Sequence, residues 1–230
     1  MKMQVLITAL LAAAGISLTG APEIKDNTII YGDIKVNCAG NGNITVSNSK
    51  GEICQTYCHY SVVNPAENKT DWSRIKADDC TMTFKDRKFT WVLNCKSFGQ
   101  TWKAADQSLE VLKDGRLKLT IKKYPAPEGL KLYDNCVFTQ FPFSAMDGKT
   151  IKYQGKDVKL TVGKKPVTRI ALPSVKGVKG TTYSFPLDPG SVSYYSECWN
   201  GLTAFSRTKD FRLTWYLPAS GTGTIIIDIR

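Results

Sequence analysis

Downstream of about residue 20, apolar and polar residues alternate over short stretches, and helical three-to-four spacing is rare. Runs of β-branched and aromatic residues bounded by Gly, Pro, Asn and Asp read as strands. The pattern predicts strands at 29–36, 81–84, 89–93 and 137–141, then at 167–172, 182–185, 192–196, 211–217 and 224–229. The run Ile225-Ile226-Ile227 is apolar on both faces, which predicts a central strand covered on both sides. A short helix is predicted over 70–77, capped by Thr70 or Asp71, with Trp72 and Ile75 on one face.

Two hairpins carry an expected register. The first runs over 108–121 and turns at Asp114-Gly115, a dipeptide suited to the positive φ angles of a two-residue type I′ turn. This pairing sets Leu112 opposite Leu117 and Glu110 opposite Leu119. Leu112, Leu117, Leu119 and Ile121 then share one face, and Lys113, Arg116, Lys118 and Thr120 share the other with Leu109 and Val111. A helix over 104–113 competes with it. The second hairpin runs over 150–162 and turns at Gly155-Lys156, with Tyr153 facing Val158, Ile151 facing Leu160 and Lys152 facing Lys159. One face is apolar and the other basic, the period-two logic of a half-buried sheet.

Short strands with Gly and Pro turns at close spacing predict a mostly β protein. Cysteine density and charge both change near residue 140, and 141–148 (Phe-Pro-Phe-Ser-Ala-Met-Asp-Gly) has no clear period. The expected organisation is two small domains: a disulfide-stapled N-domain over 21–141, and a basic, β-sandwich-like or barrel-like C-domain over 147–230. A single continuous domain is the alternative.

Residues 1–20 are set apart from the fold. Lys2 precedes an apolar run from Val5 to Ile16 and then small residues, the order of a cleaved secretory signal. The run is shorter than the ~20 apolar residues of a membrane span. The expected location is therefore secreted and extracellular, with later entry into host cells left open, and with no transmembrane segment. All seven cysteines, Cys38, Cys54, Cys58, Cys80, Cys95, Cys136 and Cys198, lie beyond this segment. An oxidising compartment predicts that the first six pair, in a connectivity that spacing cannot select. Cys198 is left unpaired, bridged between domains, or joined to a second copy. Asn43-Ile44-Thr45 and Asn68-Lys69-Thr70 are glycosylation sequons and predict surface loops.

The formal net charge is +11, unevenly spread. Residues 21–142 hold 17 Lys+Arg against 14 Asp+Glu, and residues 143–230 hold 13 against 6. Lys152, Lys156, Lys159, Lys164 and Lys165, followed by Lys176 and Lys179, make the second part the basic one. A basic surface suits anionic partners or simply aids solubility. Tyr153 and Tyr183 lie within the basic stretch, but secretion favours extracellular polyanions or a host surface over nucleic acid.

Candidate catalysts are sparse. His59 is the only histidine, which excludes sites with two or three histidines in one chain, and its cysteine neighbours are expected to be oxidised. The cysteine spacings do not match zinc sites, no phosphate loop or dinucleotide fingerprint is present, and no metal or cofactor is implied. Glu67, Asp71, Asp78 and Asp79 cluster in sequence, as a solvated loop would. Tyr194, Tyr195, Trp199, Trp215 and Tyr216 offer either core residues or a platform for sugar rings.

The layout of a signal at Met1–Gly20, six cysteines from Cys38 to Cys136, and a cysteine-poor β-rich part containing only Cys198 resembles the cysteine-rich dual-domain effectors secreted by Fusarium wilt fungi. It departs from many of them in lacking a dibasic processing site after the signal. The resemblance implies a non-enzymatic role in virulence, binding a host component, with recognition by a plant receptor. Two other expectations stand beside it. A carbohydrate- or cell-wall-binding module would expose Trp199 or Trp215 in line with another aromatic. A hydrolase using Asp and Glu alone would face two carboxylates across a cleft.

Overall fold

The computed structural model describes residues 21–72, 75–133, 135–162, 170–171, 180–188, 190–205, 208–218 and 221–230. The expected signal, Lys164, Lys165, Lys176, Lys179 and most of the strand expected at 167–172 lie outside them. The strands in chain order are Glu23–Lys25 (β1), Thr28–Tyr31 (β2), Ile34–Cys38 (β3), Ile44–Asn48 (β4), Gly51–Cys58 (β5), Val62–Asn64 (β6), Lys69–Asp71 (β7), Thr81–Lys85 (β8), Lys88–Ser97 (β9), Gln100–Val111 (β10) and Leu117–Lys123 (β11). They continue with Lys131–Leu132 (β12), Cys136–Pro142 (β13), Thr150–Tyr153 (β14), Lys156–Lys159 (β15), Ile170–Ala171 (β16), Thr181–Pro186 (β17), Ser191–Ser196 (β18), Trp199–Phe205 (β19), Asp210–Tyr216 (β20) and Thr222–Ile229 (β21). Among the described residues, helix is confined to single turns at Ala77–Asp79 and Phe143–Met146 (α1). No helix among the described residues is long and apolar enough to cross a membrane.

Two nine-stranded antiparallel sheets face each other across one core. Sheet 1 has the order β1-β2-β3-β4-β5-β13-β20-β19-β16, and sheet 2 the order β15-β14-β17-β18-β21-β11-β10-β9-β8. A small third sheet, β12-β6-β7, shares no strand with either, and Leu132 of β12 packs against the same core. The mostly β, sandwich-like expectation is met. The division into two domains is corrected, because both sheets draw strands from either side of residues 142–146. The junctions are β13 against β20 in sheet 1 and β11 against β21 in sheet 2. Charge and cysteine content change along the chain, but β11 and β13 each find one of their two hydrogen-bonded neighbours only in the last third of the sequence.

The core is rich in rings. Phe141 from sheet 1 stacks on Phe185 from sheet 2 with centroids 3.8 Å apart. Trp215 lies edge-on to Tyr183 at 6.0 Å, and its indole N–H donates to Thr139 Oγ1 at 3.3 Å. Ile225, Ile227 and Ile229 of β21 point into this core, while Ile226 faces outward and is only half-buried. The doubly apolar run therefore marks a central strand, as expected, with its outer face partly open.

Both hairpins form with a shifted register. In the first, Leu109 pairs with Leu119 and Val111 with Leu117. The connection is three residues long: Leu112 N–H donates to Arg116 O at 2.8 Å, Gly115 N–H donates to Leu112 O at 3.0 Å, and Gly115 has φ +84°. A type I turn closed by a left-handed glycine explains the extra residue. The one-residue slip turns Leu109 and Val111 inward and leaves Leu112 outside the ladder, reversing the faces expected for that strand. The segment 104–113 is strand rather than helix up to Val111.

In the second hairpin Gln154 and Gly155, with φ 48° and 75°, form the turn, and Tyr153 pairs with Lys156. The slip is two residues, so the expected apolar and basic faces survive, but Lys152 pairs with Asp157, at 3.0 Å, instead of Lys159. The expected strand 29–36 is a hairpin, β2 and β3, turning at Gly32-Asp33. The expected helix at 70–77 is corrected at its start, since Lys69–Asp71 pairs with Val62–Asn64 and the Asp71 carboxylate accepts from Ser97 Oγ at 2.6 Å.

Candidate functional site

A two-residue corner, Glu197-Cys198, carries the chain from sheet 2 into sheet 1 between β18 and β19. A hydrogen-bond chain fixes it. Ser196 Oγ donates to Thr224 O at 2.7 Å and accepts from Cys198 N–H at 3.0 Å, while Asn200 Nδ2 donates to Cys198 O at 2.9 Å. Asn200 Oδ1 in turn accepts from the Tyr183 hydroxyl at 2.7 Å. These buried polar groups satisfy one another, so the corner holds one geometry.

Beside this corner opens a cleft of about 1340 Å³, lined from both sheets. Trp199 on β19 and Tyr216 on β20 are direct register partners, and both rings are half exposed, at 48% and 52%. Directly opposed residues on antiparallel strands bring their Cβ atoms to ~5 Å, close enough for two rings to form one surface. Tyr195 contributes a third exposed ring, and Phe205 a fourth, more covered one. The Tyr195 hydroxyl donates to the Glu197 carboxylate, which holds the Tyr195 phenol above its ordinary pKa. The floor includes Leu217 and Gly223. Gly223 is held to glycine by close approach, because a Cβ there would lie 2.4 Å from Leu217 Cδ2 and 2.7 Å from Cys198 Sγ.

Alternation divides the five aromatics named from sequence. Tyr194 and Trp215 are fully buried, and Tyr195, Trp199 and Tyr216 face the cleft. Glu197 and Phe205 join them without having been signalled by any motif. Among the described lining residues Glu197 is the one carboxylate, so no second acid faces it across the opening. Glu67, Asp71, Asp78 and Asp79 are elsewhere. Glu67 pairs with Lys69 at 3.0 Å, and Asp78 and Asp79 lie in the 3₁₀ turn Ala77–Asp79. His59 is half-buried, its ring 4.5 Å from that of Phe138, and Arg212 lies over Phe138 and Phe205 at 4.8 and 4.3 Å.

The disulfide framework expected of Cys38, Cys54, Cys58, Cys80, Cys95 and Cys136, with Cys198 apart, does not appear: no sulfur–sulfur bond occurs among the described residues. Six of the seven side chains are buried, and Cys80 is the partly exposed one. Burial pushes the Cys38, Cys54 and Cys95 thiols up to about 12, which keeps them in the protonated form that neither exchanges nor oxidises readily. Cys198 packs against the position of Gly223 at the cleft floor. Asn68 stands exposed at a turn with φ 50°, as a sequon should, whereas Asn43 is half-buried in the turn before β4. Lys152, Lys156 and Lys159 are exposed on the β14–β15 hairpin, away from the cleft lining.

No family model and no curated protein matches this chain. Among solved structures, an alpha-mannosidase from Enterococcus faecalis V583 aligns with a TM-score of 0.49 at 10% identity, over 89% of this chain and 29% of that one. The chain thus spans under a third of the length of that protein.

Proposed function

We propose that this protein is a carbohydrate-binding β-sandwich that stacks sugar rings on the Trp199–Tyr216 pair. The observation that carries this reading is the pairing itself: two half-exposed rings at one register position, set in a large cleft beside Tyr195 and Glu197. Large exposed aromatics are costly unless a partner covers them, and a flat apolar face with hydrogen-bonding groups at its rim suits a sugar ring. Glu197, Thr222 and Thr224 supply acceptors and donors at that rim. The virulence role expected from the layout becomes, on this reading, capture of a cell-wall or host-surface glycan outside the producing cell. The charged and apolar start of residues 1–20 supports export.

The test is a titration of the full chain with neutral linear oligosaccharides, read by tryptophan fluorescence and calorimetry after a glycan-array screen. Trp199→Ala and Tyr216→Ala should each weaken binding tenfold or more, as ring anchors at the centre of a contact do, with an unchanged melting temperature. An array without hits, or undiminished binding by the double variant, overturns the reading.

A further inference from the structure

The outer face of sheet 2 carries a row of hydroxyls that only the strand register brings together. Thr83 pairs with Thr90, Thr90 with Ser108, Ser108 with Thr120, and Thr120 with Thr224. The inward neighbours Phe89, Leu109, Leu119 and Ile225 are buried in the core, so these five side chains point away from it. Thr83 and Thr90 are exposed, and their hydroxyls share a hydrogen bond of 3.0 Å. One hydroxyl stands on each strand, and strands repeat every ~4.8 Å. The row therefore offers hydrogen-bonding groups at a spacing close to that of successive rings in an extended sugar polymer.

A shallow groove of about 260 Å³ follows this row, and Lys88 and Lys122 line it. Lys85 and Lys118 stand exposed in the flanking row, with Glu110 between them in register. Asp106, the carboxylate of the groove, is already bound to Lys103 at 2.7 Å and accepts from the Tyr124 hydroxyl at 2.5 Å. Positive charge thus dominates around the hydroxyls. Single-stranded nucleic acid would need exposed rings for base stacking, and the one ring lining the groove, Trp91, is 1% exposed.

From this register we infer that the groove is a binding track for a linear acidic polysaccharide, its ring hydroxyls meeting the Thr/Ser row and its carboxylates the flanking lysines. The track stands apart from the aromatic surface, although Thr224 belongs to both the row and the cleft lining. It needs no stacking on Trp199 or Tyr216.

Affinity electrophoresis of the full chain through gels containing polygalacturonate tests this. Retardation at low salt should fall steeply as salt is added. The triple variant T90V/S108A/T120V, which keeps β-branched residues at two of its positions, should bind at least tenfold more weakly with an unchanged circular dichroism spectrum. K88Q/K122Q should bind more weakly and with a shallower salt dependence. The W199A/Y216A variant should stay within twofold of the parent, so that failure of the track and failure of the aromatic cleft are told apart. No retardation at low salt overturns the inference. So does retardation indifferent to the hydroxyl variant, or equal competition by single-stranded DNA, which would mark simple cation exchange.

Discussion

The Cys54 thiol and the Tyr194 hydroxyl meet at 3.0 Å in the interior, one from β5 of sheet 1 and the other from β18 of sheet 2. Both residues are fully buried, and the contact ties the sheets together polar group to polar group. Tyr194→Phe leaves the thiol without this partner and should cost about 1–2 kcal/mol in urea unfolding, the usual loss when a buried hydrogen bond is broken from one side.

Stability should fall on the alkaline side. The folded chain holds the Cys38, Cys54 and Cys95 protons up to about pH 12, because burial disfavours the thiolates. The unfolded chain releases them near the ordinary thiol value of ~8.5, so raising the pH from there pulls the equilibrium toward unfolding. The urea midpoint should be flat to about pH 8 and drop between pH 8.5 and 11. Below pH 8 these thiols contribute no slope. In native protein at neutral pH, alkylation should reach Cys80 first, since it is the partly exposed thiol.

Gly223→Ala should destabilise the protein by about 1–3 kcal/mol through overpacking against Leu217 and Cys198. Leu217→Ala in the same chain should relieve part of that loss, giving a double-mutant coupling well outside additivity. Both effects are read from thermal unfolding. Displacing Leu217 should also distort the cleft floor and weaken sugar binding.

The Gln154-Gly155 turn offers a gain of stability. Gln154 holds φ 48°, a region that asparagine tolerates better than glutamine. Gln154→Asn should raise stability by a few tenths of a kcal/mol, and Gly155→Ala, at φ 75°, should lower it by about 1 kcal/mol. Differential scanning calorimetry on the two variants gives both signs in one comparison.

Much of the strand content is legible from alternation alone, because Phe89, Trp91 and Leu93, or Leu117, Leu119 and Ile121, bury every second residue. The same parity separates Tyr194 and Trp215 from Tyr195 and Tyr216, so half of the aromatic cleft is written in the alternation itself. Register is not legible in the first hairpin: Asp114-Gly115 fits a two-residue turn and a three-residue turn ending in a left-handed glycine equally well, and the choice inverts Leu109 and Val111. The domain division fails for a different reason. Composition changes near residue 140, yet nothing local records that Leu119 will pair with Ile225 or Phe141 with Phe211. The hydroxyl row is hidden by the same fact, since its five members come from five strands spread between residues 83 and 224. The cysteine count suggests covalent staples, but nothing in the spacing records that six of the seven side chains lie buried, with Cys80 the partly exposed one.

The placement of β21 has a consequence for how the molecule is made. That strand lies between β18 and β11, joining the two halves of sheet 2. Until residues 222–229 leave the ribosome, β11 and β18 each present an unsatisfied ladder of amides and carbonyls to their surroundings, the condition that invites pairing with other chains. Closure of sheet 2 must therefore wait for β21, and such long-range pairing is slow. The nascent chain is accordingly most exposed to aggregation in the interval when β11 and β18 have emerged and β21 has not, and chaperone demand should peak there.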